Sequence, residues 1–412
     1  MSAKFEAPRG THDVLPAEQP RWRSVIETME EACFLYGYRR IDTPAFEDTG
    51  LIIRTSGEGS DVVQKETYTF EDRGGRSLTL RPEGTAPICR AYIEHGLHRE
   101  PQPQKLYTIA PMWRYDRPQR GRYREHWQLS AEAIGSDDPA LDAELIHLYA
   151  TILDHLGVTD YVLELNSIGD DKCRPAYLER LQEWLDAHDS ELDEEARAKR
   201  RTTPLRVFDV KNERTQAVLR AAPKIGEALC DECREHFERV RGYLDVFGVR
   251  YELAPTLVRG LDYYTRTTFE FKDEAIGAQD TICGGGRYDG LIETIGGPPT
   301  PGIGFGAGVE RLLMSIPEDR SVPDHVDVFF VVEEGADRTR VLETIATLRA
   351  GGVASDTDYA DRSLKGQLTQ ARRSGATVTA IVGKGERVTL RVEGEPDEDA
   401  RLSELPTRLA PR

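Results

Sequence analysis

The sequence predicts an α+β body with a small charged helical unit in its middle and a C-terminal α/β domain, on three observations. Segments 1–169 and 251–318 mix amphipathic helical stripes with strand-like and Gly-rich runs. Segment 170–250 is mostly charged and has few apolar positions, as helices washed by solvent do. Segment 326–412 alternates strand with helix, the pattern of βαβ units on a largely parallel sheet. At roughly 150 residues per domain, the 412 residues make two or three domains, ample for a core without disulfide or metal staples.

The elements follow in order. In 16–37, Trp22, Val25, Ile26, Met29 and Cys33 recur at helical spacing, and Gly37 closes the run. Residues 41–44 read as a strand interrupted by proline. LTLRPEGTAPICRAYIEHG (78–96) passes from a strand through 81–85 into a helix. At 110–135, apolar runs flank an Arg-rich loop holding Gly121, a hairpin expected to set Arg114 near Gln128. In 137–157 an Asp cap, Pro139 and Gly157 bound a helix whose stripe is Leu141, Leu145, Leu148, Ile152 and Leu156. The helical unit offers Leu178, Leu181, Trp184 and Leu185 for its own core. Strand-like sequence returns at 256–309 and ends in the helix VERLLMSI. A polar linker spans 319–325; beyond it 326–332, 353–358 and 378–383 read as strands, 338–352 and 364–376 as helices.

Hydrophobic residues make up 39%, charged residues 31% and aromatics 8%, a globular balance rather than a fibrous or disordered one. No apolar run approaches the ~18 residues of a membrane span. The opening MSAKFEAPRGTHD has no apolar stretch for a signal peptide. Six scattered cysteines suit a reducing interior, so a cytoplasmic protein without membrane contact is expected. The net charge of −18 argues against whole-surface attraction to nucleic acid. Phosphate contacts are local, however, and Arg114, Arg117, Arg120, Arg122 and Arg124 form a local cluster.

Four segments carry candidate chemistry. Glu83 and Thr85 lie at a helix N-terminus, where they suit either a cap or a ligand ammonium and polar group. The Arg114 loop suits phosphate, because a guanidinium presents a planar fork of donors. TLVRGLDYYTRTTFEF (256–271) sets an arginine, a carboxylate and the pair Tyr263 and Tyr264 before a strand. The glycines of TICGGGRYDGL (281–291) and GIGFGAGVERLL (302–313) permit close backbone approach to a ligand such as a nucleotide, with Arg311 in the following helix. The second run is no dinucleotide site, since it lacks a βαβ context and an acidic residue about 20 positions on. In CDECREHF (230–237), Cys230, Cys233 and His236 have zinc-ligand chemistry, but that spacing on one helix wraps too far round to converge. No protein-bound metal is expected there.

Taken in this order, the segments resemble the class II aminoacyl-tRNA synthetases, and among them the histidyl-tRNA synthetases. RGTHDVLP (9–16) is similar to the family's N-terminal signature, and the stretch around Pro44 to the dimer-forming first motif. WRYDRPQRGRYREHWQ and GIGFGAGVERLL resemble the second and third motifs. LVRGLDYYT and CGGGRYDGL resemble the two histidine-specific signatures. The resemblance implies an antiparallel six- or seven-stranded catalytic sheet with flanking helices. It also implies that 170–250 is a helical insertion domain, that 326–412 is an anticodon-binding domain, and that the protein is a homodimer. The implied reaction joins L-histidine to ATP as histidyl-adenylate, with Mg2+ bridging the phosphates, then passes the histidyl group to histidine tRNA.

Residue roles follow from the same resemblance. Glu83, Gly84, Thr85 and Gln128 match positions around the amino acid's ammonium and polar groups. Glu132 and Tyr264, beside Tyr263, match those that read the imidazole, since a buried partner left unpaired rejects isosteres. Arg259 matches the catalytic arginine that clamps the α-phosphate and the carboxylate. Arg114 matches the α-phosphate arginine and Arg311 the γ-phosphate arginine, while Asp116, Arg122 and His126 fall in the ATP site. Asp116 stands where the family usually has Glu, His126 where Phe stacks on adenine, and Ser130 where a smaller or amide residue is common. The loop 117–124 would reach the tRNA acceptor end, with Gln119 and Arg120 reading the extra 5′ guanosine of histidine tRNAs. The alternative is a non-catalytic regulatory subunit of histidine biosynthesis; such relatives typically lack the C-terminal domain and the LVRGLDYY signature, both present here.

Overall fold

The computed structural model describes residues 5–57, 62–261, 263–277, 280–317 and 326–409. The linker read at 319–325 and the carboxylate Asp262 lie outside the described residues. The chain divides into two compact units, 1–320 and 321–412.

In the first unit the elements run α1 (Gln19–Leu35), β1 (Arg39–Arg40), β2 (Phe46–Asp48), α2 (Thr49–Ser56), β3 (Thr69–Glu71), β4 (Ser77–Leu80), α3 (Thr85–Glu94), β5 (Gln104–Trp113), β6 (Glu125–Ile134) and α4 (Pro139–Leu156). They continue with β7 (Val162–Ser167), α5 (Arg174–Ala187), α6 (Glu194–Thr202), α7 (Glu213–Leu219), α8 (Asp231–Phe247), β8 (Glu252–Leu253), β9 (Thr265–Lys272), β10 (Thr281–Arg287), α9 (Leu291–Thr294), β11 (Gly302–Gly308) and α10 (Val309–Ser315). The central sheet has the order β1-β5-β6-β11-β10-β9-β7-β8. Its pairings from β5 to β7 are all antiparallel, while the two-residue edge strands β1 and β8 pair in parallel. The expected six- or seven-stranded sheet is thus the antiparallel centre of an eight-stranded one. Residues 41–44 do not form the expected strand: the ladder stops at Arg40, and only the Ile41 amide reaches back to the Tyr107 carbonyl.

Period-two alternation divides the sheet between core and site. Leu129, Ala131, Phe269, Phe271, Ile303, Phe305 and Ala307 face a core completed by Trp22, Val25, Met29 and Cys33 of α1 and by the α4 stripe. The opposite face carries Gln128, Ser130, Glu132 and Glu270. α4 starts and stops as the sequence predicts: the Asp138 carboxylate accepts from the Ala140 amide, Pro139 opens the first turn, and Gly157 closes it at φ +74°.

The helices α5–α8 sit between β7 and β8 around a small core of Tyr177, Leu181, Leu185, Phe208, Leu219 and Ile225. Leu178 and Trp184 pack on it only partly buried. The far end of α8 leaves that cluster, and its Val240 and Leu244 join the main core.

The second unit contains β12 (Val328–Val332), α11 (Arg338–Ala350), β13 (Ser355–Thr357), α12 (Leu364–Arg373), β14 (Val378–Val382), β15 (Arg387–Val392), β16 (Glu398–Arg401) and α13 (Leu405–Arg408), with sheet order β13-β12-β14-β15-β16. The first three strands pair in parallel, as read from the sequence; β15 and β16 add antiparallel pairings that it did not signal. Both carry charged residues along their length, so their outer face mimics loop composition. Val328 and Phe330 pack with α11, and Phe329 and Val331 with α12, so the strand between them is apolar on both faces.

Candidate active site

The site lies on the non-core face of the central sheet. Its geometry follows from where glycines remove side chains. β11 pairs with β6 so that Gly304 stands opposite Glu132, Gly306 opposite Ser130 and Gly308 opposite Gln128. A Cβ at Gly304 would overlap the Glu132 carboxylate, and one at Gly306 would lie 2.8 Å from Gln128 Nε2. On β10, a Cβ at Gly284 would overlap the Arg259 guanidinium, and one at Gly286 would meet the Tyr264 ring at 2.9 Å. These glycines therefore make room for the chain's own side chains, and Gly284, Gly306 and Gly308 also line the cleft.

Between these strands, α3, the β5–β6 hairpin and α10 opens a cleft lined by Glu83, Thr85, Arg114, Asp116, Arg122, His126, Gln128, Arg259, Tyr263, Tyr264 and Arg311. Two expectations change. Gly84 packs against Ser130 and Glu132 lies beneath the wall, so neither lines the cleft. Nor does the hairpin place Arg114 across from Gln128: Arg114 meets Arg124 and Gln128 meets Ala110, and the cleft brings the two together from different levels. Gln119 and Arg120, read as contacts for an outside partner and not as cleft residues, are exposed at the hairpin tip.

Glu83 caps a helix and also faces the cleft. Its Oε2 accepts from the Thr85 amide at 2.7 Å and its Oε1 from the Ala86 amide at 2.9 Å, capping α3, while the residue also lines the cleft. Burial pushes its carboxyl pKa up, against those amides and the Arg114 charge. Thr85 is not the cap; its hydroxyl donates to Glu132 Oε1 at 2.7 Å. The other oxygen of Glu132 accepts from the Tyr288 hydroxyl at 2.5 Å. Burial holds the Glu132 carboxyl well above the carboxylate range; Glu83 adds to the rise, and the two hydroxyls oppose it.

The cations fall into two kinds. Arg259 is paired with Glu270, and Arg122 with Asp116. Burial is the largest single influence and opposes the Arg259 charge, but Glu270, Tyr264 and Cys283 together outweigh it and raise the pKa. Among the described residues, Arg114 and Arg311 bond carbonyls rather than carboxylates. Arg114 Nε donates to the Pro82 carbonyl at 2.8 Å; Arg311 donates to those of Gly121 at 3.0 Å and Thr281 at 2.5 Å. Burial and the like charges of Arg122 and Arg114 lower the Arg311 pKa. Such a cation cluster is built for a polyanion. His126 stays neutral beside it: burial, then Arg114 and Arg311, bring its pKa down to about 3.

Of the remaining loop arginines, Arg124 stacks on Tyr115 with its guanidinium carbon 3.8 Å from the ring centroid, and Arg117 is exposed. The N-terminal signature packs here, with the Gly10 carbonyl accepting from the Arg124 amide at 2.7 Å and His12 against Tyr123. The tip closes through reciprocal backbone bonds between Gln119 and Arg122, with Gly121 at φ +72°.

Sequence reasoning did not single out Glu270, Tyr288 or Glu310. Tyr288 sits inside a quoted signature, but its role needs the 156-residue separation to Glu132 closed by the fold. Glu310, one residue before Arg311, lines the cleft and accepts from the Trp127 amide at 2.9 Å; burial raises its pKa to about 7.

The family model for histidyl-tRNA synthetase matches residues 10–312. The chain is 48% identical to the histidine–tRNA ligase of Halothermothrix orenii over 385 residues, covering 92% of each chain. It is 46% identical to that of Caldanaerobacter subterraneus subsp. tengcongensis over 392 residues, 94% of each. Its fold matches the apo histidyl-tRNA synthetase of S. aureus with a TM-score of 0.83 at 36% identity, over 99% of this chain and 100% of that one. With that coverage, and with the two histidine signatures meeting in one cleft, the chain belongs to the histidyl-tRNA synthetase family.

Proposed function

We propose that this cleft activates L-histidine with ATP and transfers the histidyl group to the 3′ end of histidine tRNA. The observation that carries the reading is the convergence of Arg114, Arg259 and Arg311 with Glu83, Gln128 and Tyr264 in one cleft. It brings three arginines, suited to phosphates, beside a buried phenol and a carboxylate suited to an ammonium.

In the first step an oxygen of the histidine carboxylate attacks the α-phosphorus of ATP. The bond from that phosphorus to the β-bridging oxygen breaks, and pyrophosphate leaves. Arg259, oriented by Glu270, neutralises the carboxylate and the charge that builds on the α-phosphate. Arg114 contacts the same phosphate and Arg311 the γ-phosphate. Glu83 holds the ammonium, and Gln128 a polar group of the amino acid. Tyr264 meets the imidazole from the cleft, and Glu132 acts from behind through Thr85 and Tyr288. His126, a neutral ring, stacks on adenine. A magnesium ion fits this site: Glu310 lines the cleft, makes no ion pair among the described residues, and would hold an ion that neutralises phosphate charge. In the second step a ribose hydroxyl of the terminal adenosine attacks the acyl carbon, and AMP leaves. No nucleophilic side chain is needed, because orientation and electrostatics supply the acceleration.

The exposed tip at Gln119 and Arg120 is free to meet the acceptor end of tRNA. Homodimerisation, a cytoplasmic location and anticodon binding by the C-terminal unit belong to the same proposal and rest on family membership. Among the described residues no helix is long and apolar enough to cross a membrane.

The test is ATP–pyrophosphate exchange with each of the twenty amino acids, with Arg259→Ala as the control. Exchange with histidine alone, abolished by the substitution, is expected. Absence of exchange with any amino acid would reject activation and favour the regulatory-subunit reading.

A further inference from the structure

Away from the cleft, at the foot of the inserted helices, four metal-ligating side chains meet. The sulfurs of Cys173, Cys230 and Cys233 and a carboxylate oxygen of Asp170 all lie within 4.8 Å of one another. Cys173 Sγ is 3.9 Å from Cys233 Sγ and 3.6 Å from Asp170 Oδ1. Zinc–sulfur bonds of about 2.3 Å and zinc–oxygen bonds of about 2.1 Å, in tetrahedral geometry, put sulfurs about 3.8 Å apart and sulfur and oxygen about 3.6 Å apart. The Cys173–Cys233 and Cys173–Asp170 separations match these values, and the four donors converge within one coordination sphere's reach.

The donors come from two short turns of similar spacing. Asp170 and Cys173 lie where the chain leaves β7 and enters α5; Cys230 caps α8, and Cys233 sits in its first turn. Gly169, at φ +65°, lets the Cys173 sulfur fold back over the turn, since a Cβ there would lie 2.7 Å from it. His236 takes no part. It lies one turn beyond Cys233, with Nε2 3.5 Å from Asp142. The single-helix argument against zinc therefore holds for His236, but the fold supplies Cys173 and Asp170 in its place.

We propose that Asp170, Cys173, Cys230 and Cys233 hold one structural zinc ion that fastens the inserted helices to the catalytic sheet. Three sulfurs with one oxygen select zinc over harder cations. Zinc with three thiolates and a carboxylate carries two net negative charges, and its surroundings answer them. Arg266 Nη2 lies 3.3 Å from Asp170 Oδ2, and the Lys172 amide donates to Oδ1 at 3.1 Å. Such outer partners orient the ligands of a metal site.

The position explains what the ion would do. Arg174, next to Cys173, donates to the carbonyls of Ile168, Gly169 and Tyr264, the last at 2.8 Å. The Arg266 amide donates to the Gly169 carbonyl at 2.7 Å. The same turn thus joins α5, α8, the start of β9 and the backbone of Tyr264. Cys173 and Cys233 also belong to the small core of the inserted helices, where a metal adds stability that limited apolar burial does not.

The test begins with metal analysis of the full-length protein, expressed with zinc in the medium and purified without chelator. One zinc per chain is expected, and its loss in the Cys230→Ser/Cys233→Ser double variant together with a lower Tm. In case that variant does not fold, two measurements use the unaltered chain. Replacement of zinc by cobalt should give the charge-transfer and d–d bands of a tetrahedral thiolate site. Alkylation followed by peptide mapping should find Cys173, Cys230 and Cys233 protected until a strong chelator is added. Zinc-free protein that also gives no cobalt spectrum overturns the proposal. So does zinc retained by the folded double variant, or a Cys173–Cys233 disulfide in freshly purified protein.

Discussion

Gly304 and Glu132 face each other across paired strands, and the hydrogen that Gly304 carries in place of a Cβ is what leaves room for the Glu132 carboxylate. The glycine run is thus a mould for a buried acid that Thr85 and Tyr288 then hold by both oxygens.

Gly304→Ala should therefore cost about 1–3 kcal/mol of stability, the usual penalty of overpacking, and should impair histidine activation with it. Gly306→Ala meets first the end of the Gln128 side chain, which can shift by giving up its bond to Ser130, and should raise the KM for histidine with a smaller loss of stability. Urea unfolding and pyrophosphate exchange on both variants check the order.

His126 has a folded-state pKa of about 3, so it is uncharged throughout the working range. His126→Phe should leave the KM for ATP and its profile from about pH 6 to 8 unchanged. Because the unfolded residue binds its proton near 6.5, the contribution of His126 to stability is complete above that value. It is lost as pH falls toward about 3. A KM for ATP that rises in the wild type alone as pH falls would contradict a neutral ring.

Glu310 behaves in the opposite sense. Its carboxyl pKa rises from 4.5 to about 7, so folding favours its neutral form. That contribution is present below 4.5 and disappears as pH climbs through about 7, a swing of at most about 3 kcal/mol. Glu310→Gln should gain stability relative to the wild type as pH rises. The acidic limb of wild-type exchange should lie near 7 and move to lower pH as magnesium is raised, since the cation favours the carboxylate. Exchange rates against pH at two magnesium concentrations test this.

Asp142 gathers a buried network: Arg287 donates to its oxygens at 2.8 and 3.0 Å, and Thr267 to Oδ2 at 2.7 Å. Asp142→Ala leaves the fully buried Arg287 with Asp289 as its remaining carboxylate partner and should cost up to about 3 kcal/mol, read as a fall in the urea midpoint.

At the hairpin tip, Gln119→Ala should leave pyrophosphate exchange intact. It should reduce the preference for tRNA carrying the extra 5′ guanosine. Aminoacylation of tRNA with and without that nucleotide decides it, and an unchanged ratio rejects the assignment of the tip.

Much was legible in the linear chain because it was written in local physics. The Asp138 cap, Pro139 and Gly157 bound α4 wherever that helix packs, and its apolar stripe declares a buried face. The strand–helix alternation after the linker announces its α/β unit in the same way. The motif segments named most of the cleft residues, from Glu83 to Arg311. Only tertiary structure decided how those residues meet. Gly284, Gly306 and Gly308 line the cleft, and the pairing registers also set the glycines of β10 and β11 against Arg259, Tyr264, Gln128 and Glu132. Arg259 acquired Glu270, Glu132 acquired Tyr288, and Cys230 and Cys233 acquired Asp170 and Cys173, each across a separation that no local pattern encodes. Backbone preference and hydrophobic periodicity act over a few residues, whereas a buried charge or thiol is defined by whichever distant groups the packed sheet brings against it.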